Sequence, residues 1–271
     1  KNNKSIYDVF GTYYTNQIEG LEQLDITNLP AVEKFLEKIT PSILIHTAAI
    51  AHPLRCEENR ELAWKINVEG TKNLAQYCIK NSCKMIFISS DGVFNGKNGP
   101  FDETHKTNPL NYYGETKVES EKIVCALNDY LVIRTAWIND VGPNSRSFVM
   151  QVINSLQNGN VFNAPIDQFG HPTYSTNLAE IIIELIKNNY NGIFHVTGST
   201  YIDRFHFAKK IAEAFDLNPE MIHETTTDLN QSHTRPMKVQ MKLDKLKSSI
   251  STKILSLDEQ LDSMRNNYHI V

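Results

Sequence analysis

A chain of 271 residues is long enough for one large α/β domain or about two smaller ones. Apolar residues make up 41% and charged residues 21%, a balance that buries a core and argues against disorder. The net charge of −4 excludes a strongly basic nucleic-acid binder, and no apolar run approaches the roughly 18 residues of a membrane span.

Asp8 to Tyr14 reads as a strand rich in aromatic and β-branched residues. Val32, Phe35, Leu36 and Ile39 form an i, i+3, i+4, i+7 stripe on a helix with Pro30 in its first turn, and Thr40-Pro41 stops it. Ser42 to His46 is an apolar run without alternation, as expected of a strand buried on both faces. A long helical stretch from about Asn59 to Asn81 puts Leu62, Ile66, Leu74 and Cys78 on one face. Lys84 to Ile88 is the next buried strand. A loop over Asn95–Asn108 leads into a helix at about Leu110–Leu127, and Tyr130 to Ile133 is a further strand. Strand and helix in alternation predict a parallel sheet covered by helices on both faces, a doubly wound, Rossmann-like α/β fold.

The second half is less regular. Leu178, Ile181, Ile182, Leu185 and Ile186 mark one amphipathic helix, and Phe205, Ala208, Ile211, Ala212 and Phe215 another. Ser256-Leu257-Asp258-Glu259 is a capping box opening a last helix. The change of pattern near Trp137–Gly142 places a boundary between a lobe over residues 1–137 and a smaller, interleaved lobe over 138–271, with a return segment near 165–190.

The sharpest chemical feature is Tyr113-Gly114-Glu115-Thr116-Lys117. A tyrosine and a lysine four apart share one helix face, and a nearby ammonium lowers a phenol's pKa toward the range of a working proton donor. The same spacing occurs by chance as a surface pair. The preceding strand ends in Ser89-Ser90-Asp91, so hydroxyls lie at the carboxyl end of a strand, where ligands of open α/β sheets bind. A hydroxyl there can stabilise a carbonyl oxygen gaining negative charge, and it can equally close a turn. His46-Thr47-Ala48-Ala49 also follows a buried strand, and its small residues allow close approach of a cofactor. The histidines lack metal-ligand spacing and no metal centre is expected. Arg55, Glu57, Glu58, Arg60 and Glu61 read as a solvated helix start, and Cys56 as a packing residue. The four cysteines lack C-x-x-C spacing and, with no apolar core behind Lys1–Lys4, predict free thiols in a cytoplasmic protein, with disulfides as the second reading.

With these segments the chain resembles the extended short-chain dehydrogenase/reductases, most specifically dTDP-4-dehydrorhamnose reductase and related sugar-nucleotide reductases. The carriers are Leu24-Asp25-Ile26-Thr27, His46–Ala49, Ile66-Asn67-Val68-Glu69-Gly70-Thr71, Ser89–Phe94, Tyr113 with Lys117, Arg134-Thr135-Ala136-Trp137, Asp167–Tyr174 with Asn177-Leu178-Ala179, Arg235-Pro236 and Leu243–Leu246. The resemblance implies NADP or NAD as cofactor and a nucleotide sugar as substrate, with no nucleic-acid or membrane partner. The reaction implied is reduction of a 4-keto-6-deoxy sugar nucleotide. Tyr113 would donate the proton, Lys117 would hold the nicotinamide ribose, and Ser90 would complete the catalytic group. Asp25 and Ile26 would lie by the adenine, Ala48, Ala49 and Ser89 along the cofactor, and Asp91 and Trp137 toward the sugar. Asn67 would support the site, and a structural cap is the favoured reading for it. A seam aromatic is nearly as good a reading of Trp137. The helices at 59–81 and 110–127 resemble those that pair in a homodimer.

Three departures stand out. No Gly-rich turn precedes the first strand. Lys1 to Tyr7 reads as the tail of a helix, with the turn expected upstream of it and loss of the turn as the alternative. Gly92 stands where the rhamnose reductases carry a tyrosine. Tyr13-Tyr14-Thr15-Asn16 holds neither an acid for NAD nor an arginine for NADP, so cofactor preference stays open. A sugar-nucleotide epimerase or dehydratase remains the alternative among enzymes. A non-catalytic subunit like the methionine adenosyltransferase β-subunit is the alternative outside them.

Overall fold

The computed structural model describes residues 7–228 and 235–268. The helical tail expected over Lys1–Tyr7 falls outside these residues except for Tyr7, which sits in a bend. Four parallel strands form the central sheet, in the order Gly192–His195, Tyr130–Thr135, Lys84–Ser90, Ile43–His46. Along Lys84–Ser90 the apolar side chains alternate between the two faces. Met85 and Phe87 join Leu44 and Val132 beneath the Leu29–Ile39 and Gly70–Asn81 helices. Ile86 joins Leu131, Ile133 and Phe194 beneath the Ser175–Lys187 helix, with Leu243 and Leu246 closing that face. This is the doubly wound arrangement that the sequence predicts.

A third apolar cluster lies beyond the sheet. Val149, Val152 and Ile153 of Phe148–Gln157, Phe207 and Ile211 of Arg204–Ala214, and Leu261 and Met264 of Leu257–Asn267 pack together there. The capping box at Ser256 is present, with reciprocal hydrogen bonds to Glu259. The Asp167–Tyr174 segment is tied from several sides. Asp167 accepts from the Thr227 amide and hydroxyl, and His171 bridges the Gly198 carbonyl and the Met241 amide. Among the described residues no helix is long and apolar enough to cross a membrane.

Three local expectations are corrected. Ile43–His46 is an edge strand, and Ile45 is 50% exposed, because no described strand pairs on its outer side. Of Asp8–Tyr14 only Thr12–Tyr13 joins a ladder, parallel to Glu22–Gln23, because only that partner lies alongside. The helix over 59–81 is not uniform: Arg60–Trp64 passes through a π-helical turn at Lys65–Glu69 before Gly70–Asn81, and Leu62 is exposed. The wider turn changes which residues share a face, so the 3.6-residue stripe breaks there.

Candidate active site

The Tyr112–Cys125 helix begins where two polar side chains take its first amides. Asn111 caps the Gly114 amide at 2.8 Å, and Glu57 accepts from the Tyr112 amide at 2.7 Å. Gly114 lets this helix start lie against the end of the neighbouring strand, since a Cβ there would stand 2.3 Å from the Gly92 carbonyl oxygen. That approach brings the Tyr113 phenol close enough to Ser90 for the serine hydroxyl to pull its pKa down. The Ser90 hydroxyl donates to Asp91 Oδ1 at 3.1 Å and accepts from the Gly92 amide at 3.0 Å. Tyr113 therefore lies beside the bonded Ser90–Asp91 pair at the carboxyl end of a parallel strand.

The electrostatics differ from the expectation. Burial is the largest influence on Tyr113 and, with the Asp91 charge and against the Ser90 hydroxyl, pushes the phenol up to about 12. Lys117 does not lower it. Its ammonium donates to the Ile88 carbonyl at 2.6 Å and stands 4.2 Å from the Phe87 ring centroid. Burial brings Lys117 itself down to about 7, opposed by the Glu121 charge one helical turn on. Asp91 is pushed up to about 6, again by burial, against the pull of Ser90 and of Arg204.

The Ser89 side chain points away from Ser90, as strand alternation requires. Its hydroxyl donates to Glu121 Oε1 at 2.5 Å, so only its backbone is free to line a cofactor. Glu121 also takes a two-pronged contact from Arg134, 3.0 Å from Nε and 2.7 Å from Nη2, with both side chains buried. Asn67 is a clamp and not a cap. Its side chain grips Ile50 through both backbone groups and donates to Thr116 Oγ1 at 3.0 Å, while its carbonyl, in the π turn, accepts from Ser120 at 2.8 Å. Cys56 is buried, donates to the Ile50 carbonyl, and has its thiol pushed up to about 11, as a packing residue would. His46 is buried beside Thr71, and burial with the Lys117 charge brings it down to about 3, so it is neutral.

Two features suit a dinucleotide. Lys117 spends one N–H on Ile88, and no described group accepts from the other two, which leaves donors for ribose hydroxyls. Thr47 and Ala48 are exposed and small at the end of Ile43–His46, and Ala49 is half-buried beside them. Asp25 uses Oδ1 for the Thr27 amide and hydroxyl, leaving Oδ2 open, whereas Ile26 is tucked against Gly70.

Trp137 adopts a left-handed φ of 41° where the chain leaves the sheet, and it packs against two apolar clusters. Gly170 lies flat on its indole, since a Cβ there would be 2.4 Å from Cε2. Arg204 also lies over the ring, with its guanidinium carbon 3.8 Å from the centroid. Trp137 is thus a seam aromatic that also carries a cation. The sequence did not mark Arg204, because nothing at the first position of an amphipathic helix distinguishes it from a solvated arginine. Glu121 was findable in principle, four residues beyond Lys117 on the same face.

The chain is 27% identical over 258 residues to dTDP-4-dehydrorhamnose reductase of Aggregatibacter actinomycetemcomitans, covering 90% of this chain and 87% of that one. It is 29% identical over 249 residues to methionine adenosyltransferase 2 subunit beta of Xenopus tropicalis, covering 89% of this chain and 74% of that one. Among solved structures, dTDP-4-dehydrorhamnose reductase from Bacillus anthracis in complex with NADP aligns with a TM-score of 0.84 and 30% identity, covering 90% of this chain and 86% of that chain. Residues 9–270 match the family described as RmlD substrate binding domain, and the chain belongs to that family.

Proposed function

We propose that this chain is an NAD(P)H-dependent reductase acting on a 4-keto-6-deoxy sugar nucleotide. The observation that carries the reading is the Tyr113–Ser90–Asp91 group beside a buried lysine with two uncommitted N–H donors. Bound NADPH or NADH would supply the hydride that adds to the carbonyl carbon at C4. The protein's own part is orientation and proton handling. A phenol held at about 12 stays protonated at working pH, so Tyr113 is a donor in waiting. An alkoxide is more basic than phenolate by several powers of ten, so the proton moves downhill to O4 as the C–O double bond becomes single. Ser90 hydrogen-bonds the same oxygen as its charge grows. Lys117 offers its two remaining N–H groups to the nicotinamide ribose. Asp25, Ala48, Ala49 and the Ser89 backbone line the cofactor path, Ile26 supports it from beneath, and Asp91 faces the sugar.

The relatives' names support this reading, and so does the presence of NADP in the complex from Bacillus anthracis. A cytoplasmic location and a homodimer complete the proposal, the latter supported by apolar side chains left exposed on the 53–64 helices, Leu54, Leu62 and Trp64. The test is net oxidation of NADPH and of NADH by the purified protein with dTDP-4-keto-6-deoxyglucose or its epimer, wild type against Tyr113→Phe. Stoichiometric oxidation, with turnover lower by about 10²–10⁴ in the variant, is expected. Product formation without net oxidation would indicate an epimerase or dehydratase, which recycles its cofactor. No turnover, together with co-purification of a methionine adenosyltransferase, would replace the reading with a regulatory one.

A further inference from the structure

Arg204 carries a charge with no ion-pair partner among the described residues. Its guanidinium lies between two rings, 3.8 Å from the Trp137 centroid and 4.5 Å from that of Phe148. Among the described residues no carboxylate stands within ion-pair distance of it, and no group accepts a hydrogen bond from its side chain. Its backbone is held firmly: the Arg204 amide donates to the Gln168 carbonyl at 3.0 Å, and Asp203 caps the helix that Arg204 begins. Arg204 is half-buried, and taking a cation partly out of water without an anionic partner carries a cost that aromatic faces only partly offset. The guanidinium keeps five donors in a rigid fork that matches a carboxylate or a phosphate.

Its charged surroundings say where such a partner would sit. Arg204 and Asp91 are close enough for each charge to move the other's pKa, and Asp91 is bonded to Ser90, which in turn meets Tyr113. Asp91 does not satisfy the fork, and its own oxygen is engaged with Ser90. Arg235 is near enough to repel Arg204, with its Nη1 directed to Gln168 Oε1 at 3.3 Å. Two guanidinium groups and one carboxylate leave a net positive charge beside the reaction centre.

We infer that Arg204 is a specificity residue whose fork receives an acidic group of the sugar-nucleotide substrate, with Trp137 as the platform that holds the fork flat. The inference rests on the nucleotide-sugar reading above and assigns a new determinant within it. The acidic group comes from one of two sources, the diphosphate or an acidic substituent on the sugar.

Binding without turnover tests it, so that failure of the reductase reading, seen as no NADPH oxidation, stays separate from failure of this one. Affinities of thymidine, dTDP, dTDP-glucose and dTDP-glucuronate are measured by calorimetry for wild type, Arg204→Gln and Arg204→Lys. A charge-assisted fork predicts at least a tenfold loss in Arg204→Gln for an acid-bearing probe relative to thymidine. Arg204→Lys recovers only part of it, because an ammonium keeps the charge and loses the planar fork. A loss shared by dTDP and dTDP-glucose assigns the diphosphate, and a loss confined to dTDP-glucuronate assigns the sugar. Equal ratios to thymidine in wild type and both variants would overturn the inference. So would a loss for thymidine as large as that for dTDP, since packing alone would then explain it. If Arg204→Gln does not fold, Arg204→Lys against wild type decides by the same ratios.

Discussion

Asp91→Asn removes a charge that folding opposes. Asp91 in the folded protein is pushed up to about 6 from an ordinary 3.8, chiefly by burial. The folded state therefore binds the proton more tightly than the unfolded chain. Its contribution is fully present below pH 3.8 and is lost as pH rises through about 6. The gap converts to a penalty of roughly 3 kcal/mol at pH 8, with about half of it already in force at pH 5. Asparagine keeps the shape and an oxygen to accept the Ser90 hydroxyl, and it carries no charge at either pH. The variant should be more stable than wild type by about 1–3 kcal/mol at pH 8, with a smaller gain at pH 5. In a chain of this size that is a Tm increase of about 2–10 °C at pH 8. Urea denaturation at the two pH values reads both quantities. A gain that does not change with pH, or a loss at pH 8, would refute the argument that burial of this carboxylate governs the shift. If the carboxylate is kept for substrate, the same variant gains stability while losing turnover.

Two further outcomes follow from buried contacts. Glu121→Ala leaves Arg134 charged and buried without its partner and strips Ser89 of its acceptor, so a loss of about 3–5 kcal/mol is expected in thermal or urea melts. A Tm change under about 2 °C would show that the pair is replaced by solvent. Gly170→Ala forces a methyl group to within 2.4 Å of the Trp137 indole, a cost of about 1–3 kcal/mol with a shift in tryptophan fluorescence, and an unchanged urea midpoint and spectrum would refute that contact.

Much of the scaffold was legible in the sequence because its signals are local. The stripe on Leu29–Ile39, the apolar face of Ser175–Lys187 and the box at Ser256 each need only neighbours within one or two helical turns. The Tyr113/Lys117 spacing was equally legible, since four residues along a helix always share a face. The tertiary structure decided what those side chains do. Lys117 donates to the Ile88 carbonyl and not to the phenol, because a strand from elsewhere in the chain supplies its acceptor. Ile45 is exposed although it sits in a wholly apolar run, because burial depends on which strands pair and not on composition. Arg204 reaches the Trp137 ring across 67 residues of sequence, a contact no periodicity encodes. Local pattern sets which element a residue joins, and the low-dielectric surroundings made by distant elements set its charge state and its partner.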